Sequence, residues 1–114
     1  MPKGHVEPGE TSQHAAQREA FEEAGIQGLA WKPVIGRFLY RKEGRPLIYK
    51  VSVHLLTVQG AATGYPEQGE RQIQWVRLAD APRVVANPAL GRIIASVMRY
   101  PLYGNVLRGT RSAL

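Results

Sequence analysis

The chain has 114 residues and no cysteine, and its 15 Lys and Arg against 9 Asp and Glu leave a formal charge of +6. That length supports one modest core, hence a single domain over 1–114. The lack of cysteine excludes disulfides and thiolate metal sites and suits a reducing, cytoplasmic setting. No apolar run approaches the roughly 20 residues that span a bilayer, so no membrane partner is expected, and the surplus of cations favours anionic ligands.

The chain opens on Pro2-Lys3-Gly4-His5-Val6-Glu7-Pro8-Gly9-Glu10, a loop punctuated by Gly and Pro that can bring backbone groups close to a ligand. Thr11 or Ser12 then offers a capping hydroxyl. The pattern predicts a helix from Ser12 to Ala24, stopped by Gly25. At about 100° per residue, Glu19, Glu22 and Glu23 share about one quadrant of that helix, while Ala20, Phe21 and Ala24 fall on a side that can pack against a sheet. Carboxylates this close repel by about 1 kcal/mol per pair even at water-like screening. A divalent cation would turn that liability into a site, and oxygen-only ligands point to Mg²⁺ or Mn²⁺. Arg18, four residues before Glu22, is spaced to orient that carboxylate.

Leu29 to Tyr40 reads as a strand region with Pro33 near its start, and Pro46 to Val58 as a second strand in which Ile48, Lys50 and Ser52 alternate with Tyr49, Val51 and Val53. Arg41 to Arg45 is the polar turn between them, so the two read as a hairpin. Gly60 to Gly69 is a loop, and Arg71 to Leu78 a short strand. A helix follows with Asp80 as a capping candidate. Asn87-Pro88 opens the last helix, whose apolar stripe is Leu90, Ile93, Ile94, Val97 and Met98. The stretch 101–114, with Arg108 and Arg111, reads as a partly mobile tail.

Gly4, Glu10, Arg18-Glu19, Glu22-Glu23, Gly25 and Ile26, with Ala20 at an aliphatic position, match every fixed position of the Nudix box. The chain therefore resembles the Nudix (MutT-like) hydrolases, with the loop and helix of the box in 1–26. The order of the later strands, QWVRLADA and the terminal helix also suits that family. The opening PKGHVEPGE is similar to that of its diphosphoinositol-polyphosphate and diadenosine-polyphosphate hydrolases. The resemblance implies an α/β fold, an α/β/α sandwich with a mixed sheet, here without the strands that usually lead into the box. A sheet short of neighbours exposes unpaired edges, so a homodimer is expected.

By the same resemblance, the reaction is metal-dependent hydrolysis of a diphosphate linkage in a nucleoside diphosphate derivative or related polyphosphate. Glu19, Glu22 and Glu23 are the implied ligands, with the Gly4 carbonyl added, and Arg18 orients a carboxylate. Glu10 is read as structural, paired with a basic residue of the helix. The general base is open among Glu23, Glu70 and Glu67. Lys3, Arg41 and Lys50 are candidates for contacts to substrate phosphates, and Tyr65 or Trp31 for stacking on a base. The competing reading is a catalytically silent nucleotide- or RNA-binding module. A plain nucleic-acid binder ranks last, since no basic face with interleaved aromatics is evident.

Overall fold

A computed structural model of the protein describes residues 5–41, 44, 46–70 and 73–99, together with the backbone of 111–113. The first helix, α1, spans Ser12–Ala24. Thr11 caps it by accepting the His14 N–H, and Gly25 ends it in the left-handed region at φ 69°, donating to the carbonyls of Ala20 and Phe21. These are the boundaries the sequence predicts. They follow from a hydroxyl that replaces a lost helix acceptor and a residue without a Cβ at the stop.

Four strands follow: β1 (Ile26–Ala30), β2 (Gly36–Arg41), β3 (Ile48–Val53) and β4 (Leu56–Ala61). They form two antiparallel pairs, with Ala30 opposite Leu56 in β1–β4 and Gly36 opposite Val53 in β2–β3. The expected hairpin is therefore present but broken at its middle, where residues 31–35 face only 54–55. Pro33 has no N–H to give to a ladder, and the chain leaves the strand around it. The break is stitched by Trp31 N–H to Leu55 O at 2.7 Å and Ile35 N–H to Val53 O at 2.9 Å. His54 completes the stitching. The Trp31 carbonyl only accepts, so His54 Nδ1 donates to it at 2.8 Å. In the neutral ring, Nε2 then accepts from the Ser12 hydroxyl at 2.8 Å, which ties the start of α1 to the break.

The last strand before the helices is β5 (Trp75–Arg77), followed by α2 (Ala81–Val84) and α3 (Pro88–Val97). Asn87 caps α3 through the N–H groups of Ala89 and Leu90. Asp80 precedes α2 but makes no cap bond, and its carboxylate pairs with Arg83 instead. Of the expected tail, only the backbone of 111–113 falls within the described residues. Residues 111–113 form β6, antiparallel to β5 with Val76 opposite Ser112, and 100–110 lie outside the described residues.

The class is α/β. All three strand pairs described are antiparallel, so the parallel pairing that would make the sheet mixed is not among the described residues. The short connection 42–47 between β2 and β3 leaves that pair no other direction.

Two apolar clusters hold these elements. Ala20, Ala24 and Ile26, with Leu56 and Ile73, bind α1 to β1 and β4. Val53, Val76, Ala81, Leu90 and Ile94, with Phe38 and Ile93, join α2 and α3 to the strands. α3 comes close to β2 at Gly36, where a Cβ would meet Ile93 Cγ1 at 2.7 Å. Two expectations are corrected. Phe21 is half-buried and in neither cluster, and Met98, at the end of the α3 stripe, is exposed. Small side chains on α1 let it sit close to β1, and close seating leaves a ring at position 21 at the margin.

Candidate metal and phosphate site

The site begins at the C-terminal end of α1. The last carbonyls of a helix have no partner within it, and here the loop 62–70 supplies partners. Glu67 N–H donates to Glu22 O at 2.9 Å, and Ala62 N–H donates to Gly25 O at 2.8 Å. Tyr65 seals the junction. Its ring lies over Gly25 so closely that a Cβ there would stand 2.5 Å from Cδ1. Glycine is thus required at this position twice, for the left-handed turn and for the ring above it.

Pinned in this way, the loop delivers a carboxylate to the helix. One oxygen each from Glu19, Glu23 and Glu67 lies within 4.8 Å of the others. Glu23 is buried at 7% exposure, and Glu19 and Glu67 are half-buried. Opposite ligands of a Mg²⁺ ion stand about 4.2 Å apart, twice a bond of about 2.1 Å. The three oxygens are therefore within a small side-chain adjustment of holding such an ion, and an all-oxygen donor set suits Mg²⁺ or Mn²⁺.

Arg18 organises the other side. Its Nε donates to Glu10 Oε2 at 2.9 Å and its Nη2 to Glu10 Oε1 at 3.0 Å, a bidentate fork. Nη1 reaches Glu19 at 2.6 Å and Glu22 at 3.2 Å, and Nη2 also donates to the His5 carbonyl at 2.8 Å. The Arg18 hydrogen bonds, helped by the Glu7 N–H, hold the Glu10 carboxyl down to about 2. The same bonds, to Glu10 first and then Glu19, push the guanidinium pKa further up. Arg18 thus locks the opening loop onto α1 and turns Glu19 by one of its oxygens.

The sequence candidates part company here. Glu19 and Glu23 converge with Glu67, while Glu22 contributes to the Arg18 network and is not in the converging trio. Glu70 is exposed in the same loop and is not in the trio either. Lys3 and Gly4 lie outside the described residues. Arg41 and Lys50 are exposed and pair with Ile48 and Leu39 on the outer face of β2–β3. The inner face carries Tyr40 opposite Tyr49, their rings stacked at 5.3 Å, and His5 of the opening loop rests on Tyr49 at 5.5 Å. Neither Arg41 nor Lys50 is on the side the loop touches.

Sequence reading passed over Tyr40 and Tyr49, although the hairpin register already sets them side by side. The residues it chose for stacking are engaged elsewhere, Tyr65 over Gly25 and Trp31 Nε1 with Thr57 Oγ1 at 2.8 Å.

A family model described as the NUDIX domain matches residues 1–97. The chain is 34% identical over 87 residues to Nudix hydrolase 4 of Arabidopsis thaliana, covering 76% of this chain and 42% of that one. It is 32% identical over 87 residues to Nudix hydrolase 21, chloroplastic, of the same plant, covering 76% and 43%. A third relative is diphosphoinositol polyphosphate phosphohydrolase 2 of Rattus norvegicus, 32% identical over 87 residues, covering 75% and 46%. The chain thus spans less than half the length of each of these relatives. No solved structure matches it. With the box on α1 and its loop, and a domain match over most of its length, the chain belongs to the Nudix family.

Proposed function

We propose that the protein is a divalent-metal-dependent pyrophosphohydrolase acting on a small phosphorylated substrate, a nucleoside diphosphate derivative or related polyphosphate. The observation that carries this is the convergence of Glu19, Glu23 and Glu67 from two segments that hydrogen bonds hold together. Glu19 and Glu23, on adjacent turns of α1, would hold Mg²⁺ or Mn²⁺. Such an ion neutralises charge on phosphate oxygens and acidifies a bound water. Glu67 is the residue we assign to proton transfer. It sits on a loop rather than on the helix, and its carboxylate would take the proton of a water attacking phosphorus as the bridging P–O bond breaks. Arg18 keeps Glu19 oriented without touching substrate. Glu22 is assigned to that same support.

The test is hydrolysis of a panel of diphosphate-linked substrates with Mg²⁺ and with Mn²⁺, reading phosphate or mononucleotide release. Turnover that requires the ion and disappears in chelator is the expected result. Binding of the same compounds with no release under either ion would put the silent binding module in its place.

We further infer that the protein works as a two-fold homodimer. Each strand pair among the described residues has two strands and so leaves edges open, which a second copy can cover. Sedimentation at micromolar concentration should give twice the mass of one chain. A monomer mass there rejects the dimer and leaves the hydrolase reading standing.

A further inference from the structure

The cations that do not reach the site form a surface of their own. The register of β2–β3 pairs Arg37 with Ser52, Leu39 with Lys50 and Arg41 with Ile48, all on the outer face. The inner face, Phe38, Tyr40, Tyr49, Val51 and Val53, turns towards the apolar cluster and the opening loop. On the outer face, Leu39 is 64% and Ile48 57% exposed, and adjoining Leu47 is 60% exposed. Arg37, Arg41 and Lys50 are exposed as well, and none has an ion-pair partner among the described residues. Arg37 and Arg41 stand about 13 Å apart along β2, with Lys50 on the neighbouring strand between them. Three cations therefore surround an aliphatic patch, with no acid among the described residues of that face.

We propose that the outer face of the β2–β3 hairpin docks the protein onto an anionic phospholipid surface. Each part of the face has a use there. Long Arg and Lys side chains reach head groups while their stems lie over apolar surface. Leu39, Leu47 and Ile48 enter the boundary between head groups and chains. Docking through this face is a peripheral attachment, and no helix among the described residues is long and apolar enough to cross a membrane.

Two other occupants fit less well. A second copy across a two-fold axis would set Arg37, Arg41 and Lys50 against themselves, which like charges oppose. A single-stranded nucleic acid gains much of its binding from bases stacked on aromatic rings, and the tyrosines of this hairpin are on the inner face. Exposed aliphatic residues between cations favour lipid over either.

The experiment is co-sedimentation of the full chain with vesicles of phosphatidylcholine alone and of phosphatidylcholine with phosphatidylglycerol. Wild type should partition onto the anionic vesicles only, less so as salt is raised. Arg41→Gln with Lys50→Gln should weaken partition by roughly twenty-five-fold, about fivefold per cation. Leu39→Ser with Leu47→Ser should weaken it by about tenfold or more, and Leu47→Ser alone, outside the strands, measurably. Circular dichroism melts establish that each variant is folded. No partition of wild type, or partition that ignores the leucines, overturns the proposal. So does equally tight binding of oligothymidylate or polyglutamate that depends on the cations alone, since the face would then be a general polyanion surface.

Discussion

Glu23→Gln should lower diphosphate hydrolysis by about a hundredfold or more while leaving the fold intact. Glutamine keeps the shape of the side chain but loses the charge that a divalent ion and its bound water depend on. Because Glu23 is buried beside Glu19 and Glu67, the ion-free protein holds three carboxylates at close range. Neutralising one relieves that crowding, so a melt in chelator should be unchanged or slightly raised. Glu70→Gln serves as the comparison, since Glu70 shares the loop but not the converging trio, and its turnover should stay near wild type. Parallel assays in Mg²⁺ and melts in chelator decide the matter. If Glu23→Gln unfolds the protein while its folded fraction stays active, the carboxylates are structural and the binding-module reading moves ahead. If Glu70→Gln is the more damaging change, Glu67 has been wrongly chosen for the proton.

Local signals in the sequence are enough for the box and fail for what depends on partners far along the chain. Thr11 and Gly25 set the limits of α1 through bonds to backbone groups close by in the chain, so the helix is legible residue by residue. The hairpin is legible as a pairing, but its break is not. One proline marks the place, whereas the excursion over 31–35 depends on His54 and Leu55 across the ladder. Helical spacing groups Glu22 with Glu19 and Glu23. Spacing takes no account of which way a side chain leans, and Arg18 draws Glu22 into its own network. Glu67 joins the trio through the Glu22 carbonyl, the Ala62 to Gly25 bond and the Tyr65–Gly25 contact, all of which bridge distant segments. The face on which Arg41 and Lys50 lie follows from register with β2, a partner that composition does not reveal. The Arg18 to Glu10 fork is an intermediate case. The sequence suggests a basic helix partner for Glu10, and only the folded opening loop shows that it is Arg18.

Arg18→Met should be among the most destabilising surface-adjacent changes in the protein, costing about 2–3 kcal/mol. Its side chain is 24% exposed and joins Glu10, Glu19 and Glu22 within 3.2 Å, so removal leaves a cluster of like charges without a cation. Full burial would put the loss at about 3–5 kcal/mol, and water at the partly open side screens some of it. The same network predicts the acid behaviour. Folding lowers the Glu10 carboxyl from its ordinary 4.5 to about 2. A depressed carboxyl contributes its stability in full above the unfolded value and loses it as pH falls through the folded one. The Glu10 contribution should therefore be constant above about pH 4.5 and decline between there and about pH 2. Urea titrations across that window should show a shallower decline for Glu10→Gln than for wild type, starting from lower stability at neutral pH. Parallel slopes in the two proteins would mean the fork does not persist in solution. The opening loop would then be held to α1 by the Arg18 to His5 carbonyl bond and the remaining carboxylates, and Arg18→Met should cost correspondingly less.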